Sequence, residues 1–157
     1  REQPQRIGKP FGDADPRRSG ERRTTVVSEE AARRASAQHW WKVAEEALRS
    51  AKMEYAADLF HGAINRAYYA VFYAATAVLV ERGLIFRKHA GVRAAVHKEL
   101  VKKDLLSVEL GALYDRLFED RQHGDYMVLT EFEADEVRDK VESAAAFLQA
   151  VRALLSV

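Results

Sequence analysis

The sequence predicts an all-α protein, a four- to five-helix, mostly antiparallel bundle preceded by a flexible N-terminal tail. Three observations carry this expectation. All three prolines lie before residue 21, so no proline interrupts a helix from Ser28 to Val157. That long stretch is rich in Ala, Leu, Glu, Lys and Arg, which favour helix. Its apolar residues recur at spacings of three and four and never alternate with period two for long, so no strand is expected after Ser28.

Residues 1–27 read as a basic, Pro- and Gly-containing tail or linker, with seven basic residues against four acids and almost no apolar periodicity. Residues 28–157 read as the bundle. Trp41, Ala44, Leu48, Ala51 and Tyr55 mark a first amphipathic helix from about Ser28 to Met53. Ser28 is placed to cap it, with Glu29 and Glu30 near the positive end of the dipole. A second helix, from about Tyr55 to Arg82, is apolar nearly all round in its second half and must be buried on most sides. Gly83 ends it. A third runs from about Lys88 to Lys103. Leu106, Leu110, Leu113 and Leu117 mark a fourth. Thr130 and Glu133 form a capping box for the last, whose stripe is Val137, Val141, Ala144, Leu148, Val151 and Leu155.

A chain of 157 residues with 48 % hydrophobic and 31 % charged residues suggests one soluble domain with a real core. The net charge of +1 does not announce a nucleic-acid binder. The absence of cysteine excludes disulfides, thiolate metal sites and cysteine nucleophiles. No Gly-rich phosphate loop, paired-histidine zinc motif or nucleophile elbow occurs. His39, His61, His89, His97 and His123 fall in no metal-ligand spacing, so no metal or other cofactor is expected. The longest apolar run, Ala67 to Val80, is 14 residues and too short to span a bilayer. No secretion leader is visible, and a cytoplasmic location is expected.

The informative residues are polar ones set into apolar surroundings. Arg66 enters the second helix as it turns apolar, with Tyr69 and Tyr73 on roughly the same face. Arg121 follows Leu117 at i+4 and Phe118 at i+3, so it points toward the core side of the fourth helix. Gly124 is expected to end that helix, leaving Arg121 half-buried beside Asp125 and Tyr126. One reading of both arginines is a structural ion pair, with Asp125 or another acid of the fourth helix as partner. The other is a phosphate or base contact with aromatic support. Seven basic residues lie between Arg82 and Lys103, and His89, Arg93 and His97 recur every four positions. That stripe is either a solvated face or a landing strip for RNA or an acidic partner.

The strings "NRAYYAVFYAATAVLVERGL", "KHAGV" and "LYDRLFEDRQHGDY", in this order, resemble the HEPN domain over about residues 38 to 155. Within it they resemble a small stand-alone branch of uncharacterised proteins. The resemblance implies a helical bundle that forms a homodimer in the cytoplasm of a prokaryote. It further implies a toxin or defence protein partnered by a small nucleotidyltransferase antitoxin, which binds RNA or nucleotide. Many such proteins are metal-independent ribonucleases, with a signature arginine followed after four to six residues by a histidine. Arg121 matches the arginine, but Tyr126 stands where the histidine is expected, and His123 is only two residues on. The catalytic candidates are therefore Arg121 and His123. The candidates for RNA or nucleotide contact are Arg66, Tyr69, His89, Arg93, Asp125 and Tyr126. The alternative is a non-catalytic module that docks a nucleotidyltransferase.

Overall fold

The computed structural model describes residues 16–126 and 131–156, and side chains over 27–123 and 131–156. Five helices follow one another: α1 (Pro16–Ala56), α2 (Phe60–Glu81), α3 (His89–Ala95), α4 (Val108–Tyr126) and α5 (Ala134–Arg152). From Ala95 the chain continues without a break into π-helical turns over Val96–Val101. Among the described residues there is no strand, as the missing period-two pattern required.

α2 is the centre, and α1, α3, α4 and α5 all pack on it. Its apolar second half is buried all round, including Val71, Ala74, Ala75, Val78 and Leu79. By length and composition α2 would pass for a membrane span, but 67 % of that window is buried inside the bundle. It is the core helix that its 14-residue apolar run suggested. The chain leaves α2 where expected. Gly83 has φ 78°, and its amide bonds to the Val80 carbonyl while the Leu84 amide reaches back to Leu79. Only glycine adopts that left-handed position without strain.

α5 presents the predicted stripe. Val137, Val141, Ala144, Leu148, Val151 and Leu155 are all buried, and Phe147 joins them at 0 % exposure. In α4, Leu113, Leu117 and Phe118 are buried, with Tyr114 between them. α1 packs with the predicted face but a shifted centre. All of its buried residues among those described are alanines (Ala37, Ala44, Ala47 and Ala51), while Trp41, Leu48 and Tyr55 flank the seam half-buried.

Several boundaries differ from expectation. α1 starts at Pro16 and not at Ser28, so part of the expected tail carries helical backbone and Ser28 lies inside the helix. Proline is well accommodated at a first helical position, so Pro16 opens the helix. α2 begins at Phe60, because Asp58 takes φ 59° and the chain reverses there. Gly124 does not end α4, which runs on to Tyr126. Glu133 is the cap residue of α5 and makes no side-chain cap bond, so it is not the third helical residue that a Thr130 capping box needs. Thr130 itself lies outside the described residues.

Candidate functional site

The site is built where the first half of α2 meets α3 and the end of α4. Successive aromatic residues of α2, Tyr68 and Tyr69, meet edge to face with centroids 5.4 Å apart. The Arg121 guanidinium reaches both rings, its central carbon 5.5 Å from the Tyr68 centroid and 5.2 Å from that of Tyr69. This is cation–π geometry, and it seats the arginine on an aromatic platform. Arg121 therefore does point toward the core, as its spacing from Leu117 and Phe118 implied.

Arg121 also lines a cleft of about 200 Å³ with His61, Gly62, Ile64, Asn65, Asp120 and Phe132. The Asn65 side-chain oxygen is buried in this region and accepts no hydrogen bond among the described residues. The His61 ring stands edge-on to Phe132 at 4.9 Å. Asp120, on the same wall, is engaged by Lys140 of α5. His61 and Asn65 were not among the site candidates read from the sequence, although Asn65, like Arg66, is a polar residue where the second helix turns apolar. They lie four apart, one helical turn, so they share a face of α2.

On the other side of the tyrosines lies His89, the first residue of α3. Its ring stacks on Phe72 at 4.2 Å and 7° and stands edge to face with Tyr69 at 6.0 Å. Its Nδ1 is 2.8 Å from the Tyr68 hydroxyl. Burial and the charge of Arg121 hold the His89 pKa below the usual histidine value. Burial pushes the Tyr68 phenol up to about 12, the nearby Arg121 charge opposing it. Tyr68 is fully buried, so it serves as a shared post between Arg121 and His89.

The lowered His89 pKa has a consequence for stability. The unfolded chain binds a proton as pH falls through about 6.5, while the folded chain does not until a lower pH. The stabilisation held above 6.5 is thus lost on acidification. Denaturant midpoints at pH 7.5 and 5.5 should show a larger drop for wild type than for His89→Gln. Equal drops in the two proteins would remove His89 as the cause.

The other candidates are placed as follows. Arg66 is exposed and pairs with Glu54 of α1 at 3.3 Å. The partnership with an acid of the fourth helix, expected of Arg66 or Arg121, is not formed by Arg66 among the described residues; its partner is the acid at the end of α1. Tyr69 stacks on Tyr73 at 5.5 Å, as their shared face predicted. The stripe of α3 divides. His89 faces the aromatics of α2, whereas Arg93 and His97 face α4. Arg93 donates to Asp115 at 2.6 Å and to Glu119 at 3.2 Å, and lies 4.8 Å over Phe118. His97 Nε2 also meets Asp115, at 3.0 Å. The Arg93 charge is thereby balanced, which suits a strut between helices better than a phosphate contact. His123 is exposed, with Nδ1 2.9 Å from the Glu119 carbonyl of its own helix, and it does not line the cleft. The side chains of Asp125 and Tyr126 lie outside the described residues.

Comparison with known proteins bears on what such a site does. A family model described as HEPN domain matches residues 37–154. A "UPF0332 protein" of Thermotoga maritima is 43 % identical over 118 residues, covering 75 % of this chain and 89 % of that protein. Two proteins of Methanocaldococcus jannaschii are also similar. "Putative toxin MJ0142" is 29 % identical, covering 71 % of this chain and 76 % of that protein. "Putative toxin MJ0605" is 33 % identical, covering 61 % and 73 %.

Proposed function

Because this chain belongs to the HEPN domain family, we propose that it is a toxin-type HEPN protein that binds a phosphate of RNA or nucleotide at Arg121. The observation that carries the reading is the seating of Arg121. Its guanidinium lies against Tyr68 and Tyr69 while it lines an open cleft with His61 and Asn65. A guanidinium held in one plane against aromatic rings has the geometry that suits a phosphate. The partly buried Tyr69 beside it adds stacking surface for a base. The toxin reading is supported by the names of the two archaeal relatives.

In this reading the protein works in the cytoplasm as a homodimer, with a nucleotidyltransferase as its antitoxin partner. Support for association is the apolar surface that the chain leaves uncovered. Ile85 and Phe86 are 77 % and 39 % exposed. Trp40, Phe72 and Tyr73 are only partly buried.

The test is a binding titration of the full chain with fluorescent single-stranded RNA in excess chelator. Arg121→Ala should weaken binding about tenfold or more, the scale of a lost charge-assisted bond. The slope of log affinity against log salt should flatten by about one contact. Unchanged affinity and slope in a folded Arg121→Ala protein would end this reading.

A further inference from the structure

We propose that Lys140 of α5 sets the charge of the Arg121 cleft, acting through Asp120. The inference rests on the reading that a phosphate of RNA or nucleotide binds at Arg121. Among the described residues, the side chains lining that cleft include one permanent cation, Arg121, and one carboxylate, Asp120, beside the exposed His61. With the histidine neutral those two charges oppose each other. A phosphate entering the cleft would be repelled by Asp120 as well as drawn to Arg121. The carboxylate is answered from behind the wall.

Asp120 and Arg121 are consecutive in α4, so their side chains leave the helix about 100° apart. Arg121 turns to Tyr68 and Tyr69. Asp120 lines the Arg121 cleft on one side and a second hollow, between α4 and α5, on the other. Lys140 lines that second hollow, and its ammonium donates to Asp120 Oδ2. The two side chains are only 18 % and 25 % exposed, so water and salt screen the pair weakly.

The other charges around Lys140 are more open to water. Glu136 pairs with it at 3.2 Å, but the Glu136 side chain is half exposed. Asp139, also in the hollow, is engaged by Arg138. Arg116, the remaining cation there, is exposed. With Asp120 held by Lys140, the cleft keeps the charge of Arg121 for a ligand. Lys140 lines none of the cleft itself. It is a positioning residue that works through what it does to Asp120.

The experiment is the titration of the full chain with fluorescent single-stranded RNA in excess chelator, repeated over a range of salt. Lys140→Met keeps the side chain's length and removes its charge, and it should weaken binding about fivefold at low salt. Asp120→Asn should tighten binding by about as much. The double variant Asp120→Asn/Lys140→Met restores the net charge at the cleft and should bind within about twofold of wild type. Lys140→Arg should bind as wild type does. A merely structural contact gives another pattern, in which both single variants bind more weakly and the double variant is no better than the worse of them. Lys42→Met removes the same charge from an exposed lysine of α1 and should change affinity less than about twofold. Should Lys140→Met fail to fold, Lys140→Gln is read in its place. Lys140→Met binding like wild type overturns the inference. So does Asp120→Asn binding more weakly than wild type, or a loss in Lys42→Met equal to that in Lys140→Met. In each of these cases a loss of binding in Arg121→Ala leaves the reading of Arg121 standing. Arg121→Ala binding like wild type overturns both.

Discussion

Replacing Phe147 by alanine is expected to lower the unfolding free energy by about 3–5 kcal/mol, the usual range for deleting a buried phenyl ring. Phe147 is 0 % exposed and packs against Tyr114, with ring centroids 6.0 Å apart. Tyr114 is itself fully buried and stands edge to face with Tyr68 at 6.3 Å. The ring of α5 therefore props the ring of α4, which props the tyrosine that carries Arg121 and His89. In a domain whose whole stability is about 5–15 kcal/mol, the loss is a large share. The melting temperature should fall by roughly 10–20 °C. Phe147→Leu keeps most of the volume and should cost less than half as much. A loss below about 1 kcal/mol for the alanine variant would show that this aromatic chain does not support the bundle.

The parts of the fold that were legible in the sequence are those governed by local pattern. α5 shows its stripe because each of its core positions is apolar and regularly spaced, and α2 shows its burial because its second half has no polar face. The start of α1 was hidden because its first turns are polar and resemble linker composition. The turn at Asp58 was hidden because an aspartate in the left-handed region has no strong sequence signal. The site was legible in part. Arg121 was placed on the core side by two local spacings. Its tyrosine seat was not, since the residues it meets lie on another helix. The same holds for Arg93 with Asp115 and for His89 with Tyr68, pairs that are 22 and 21 residues apart. Arg66 was misjudged for the converse reason. Its apolar neighbours in sequence suggested burial, but Arg66 faces outward, and Glu54 at the end of α1 meets it there. His61 could have been found, because it lies one turn before Asn65 on the face that leads to the cleft.

The seam between α1 and α2 leads to the second large expectation. α1 contributes Ala37, Ala44, Ala47 and Ala51 to the core, and among the described residues it buries nothing larger. Ala37, Ala44 and Ala51 are seven apart, so they form one line along the helix. α2, its main neighbour, carries an alanine line of its own, Ala63, Ala67, Ala70, Ala74 and Ala77, all 0 % exposed. Small side chains along both helices let the backbones approach closely, while the longer ones stand beside the alanine line, where Trp40 of α1 stacks on Tyr73 of α2 at 5.6 Å. Ala44 is 0 % exposed, so a larger residue there must displace its neighbours. Ala44→Leu should therefore destabilise by about 3 kcal/mol, at the upper end for overpacking, although leucine is apolar and a good helix former. Ala44→Gly should cost less, about 1 kcal/mol, because the seam tolerates a missing methyl better than extra carbons. The order of the two variants is the decisive reading. If Ala44→Leu were as stable as wild type in urea titration, the two helices would be separated by more than an alanine seam allows. α1 would then not be the wall that holds α2, and with it Tyr68 and Tyr69, in place beneath Arg121.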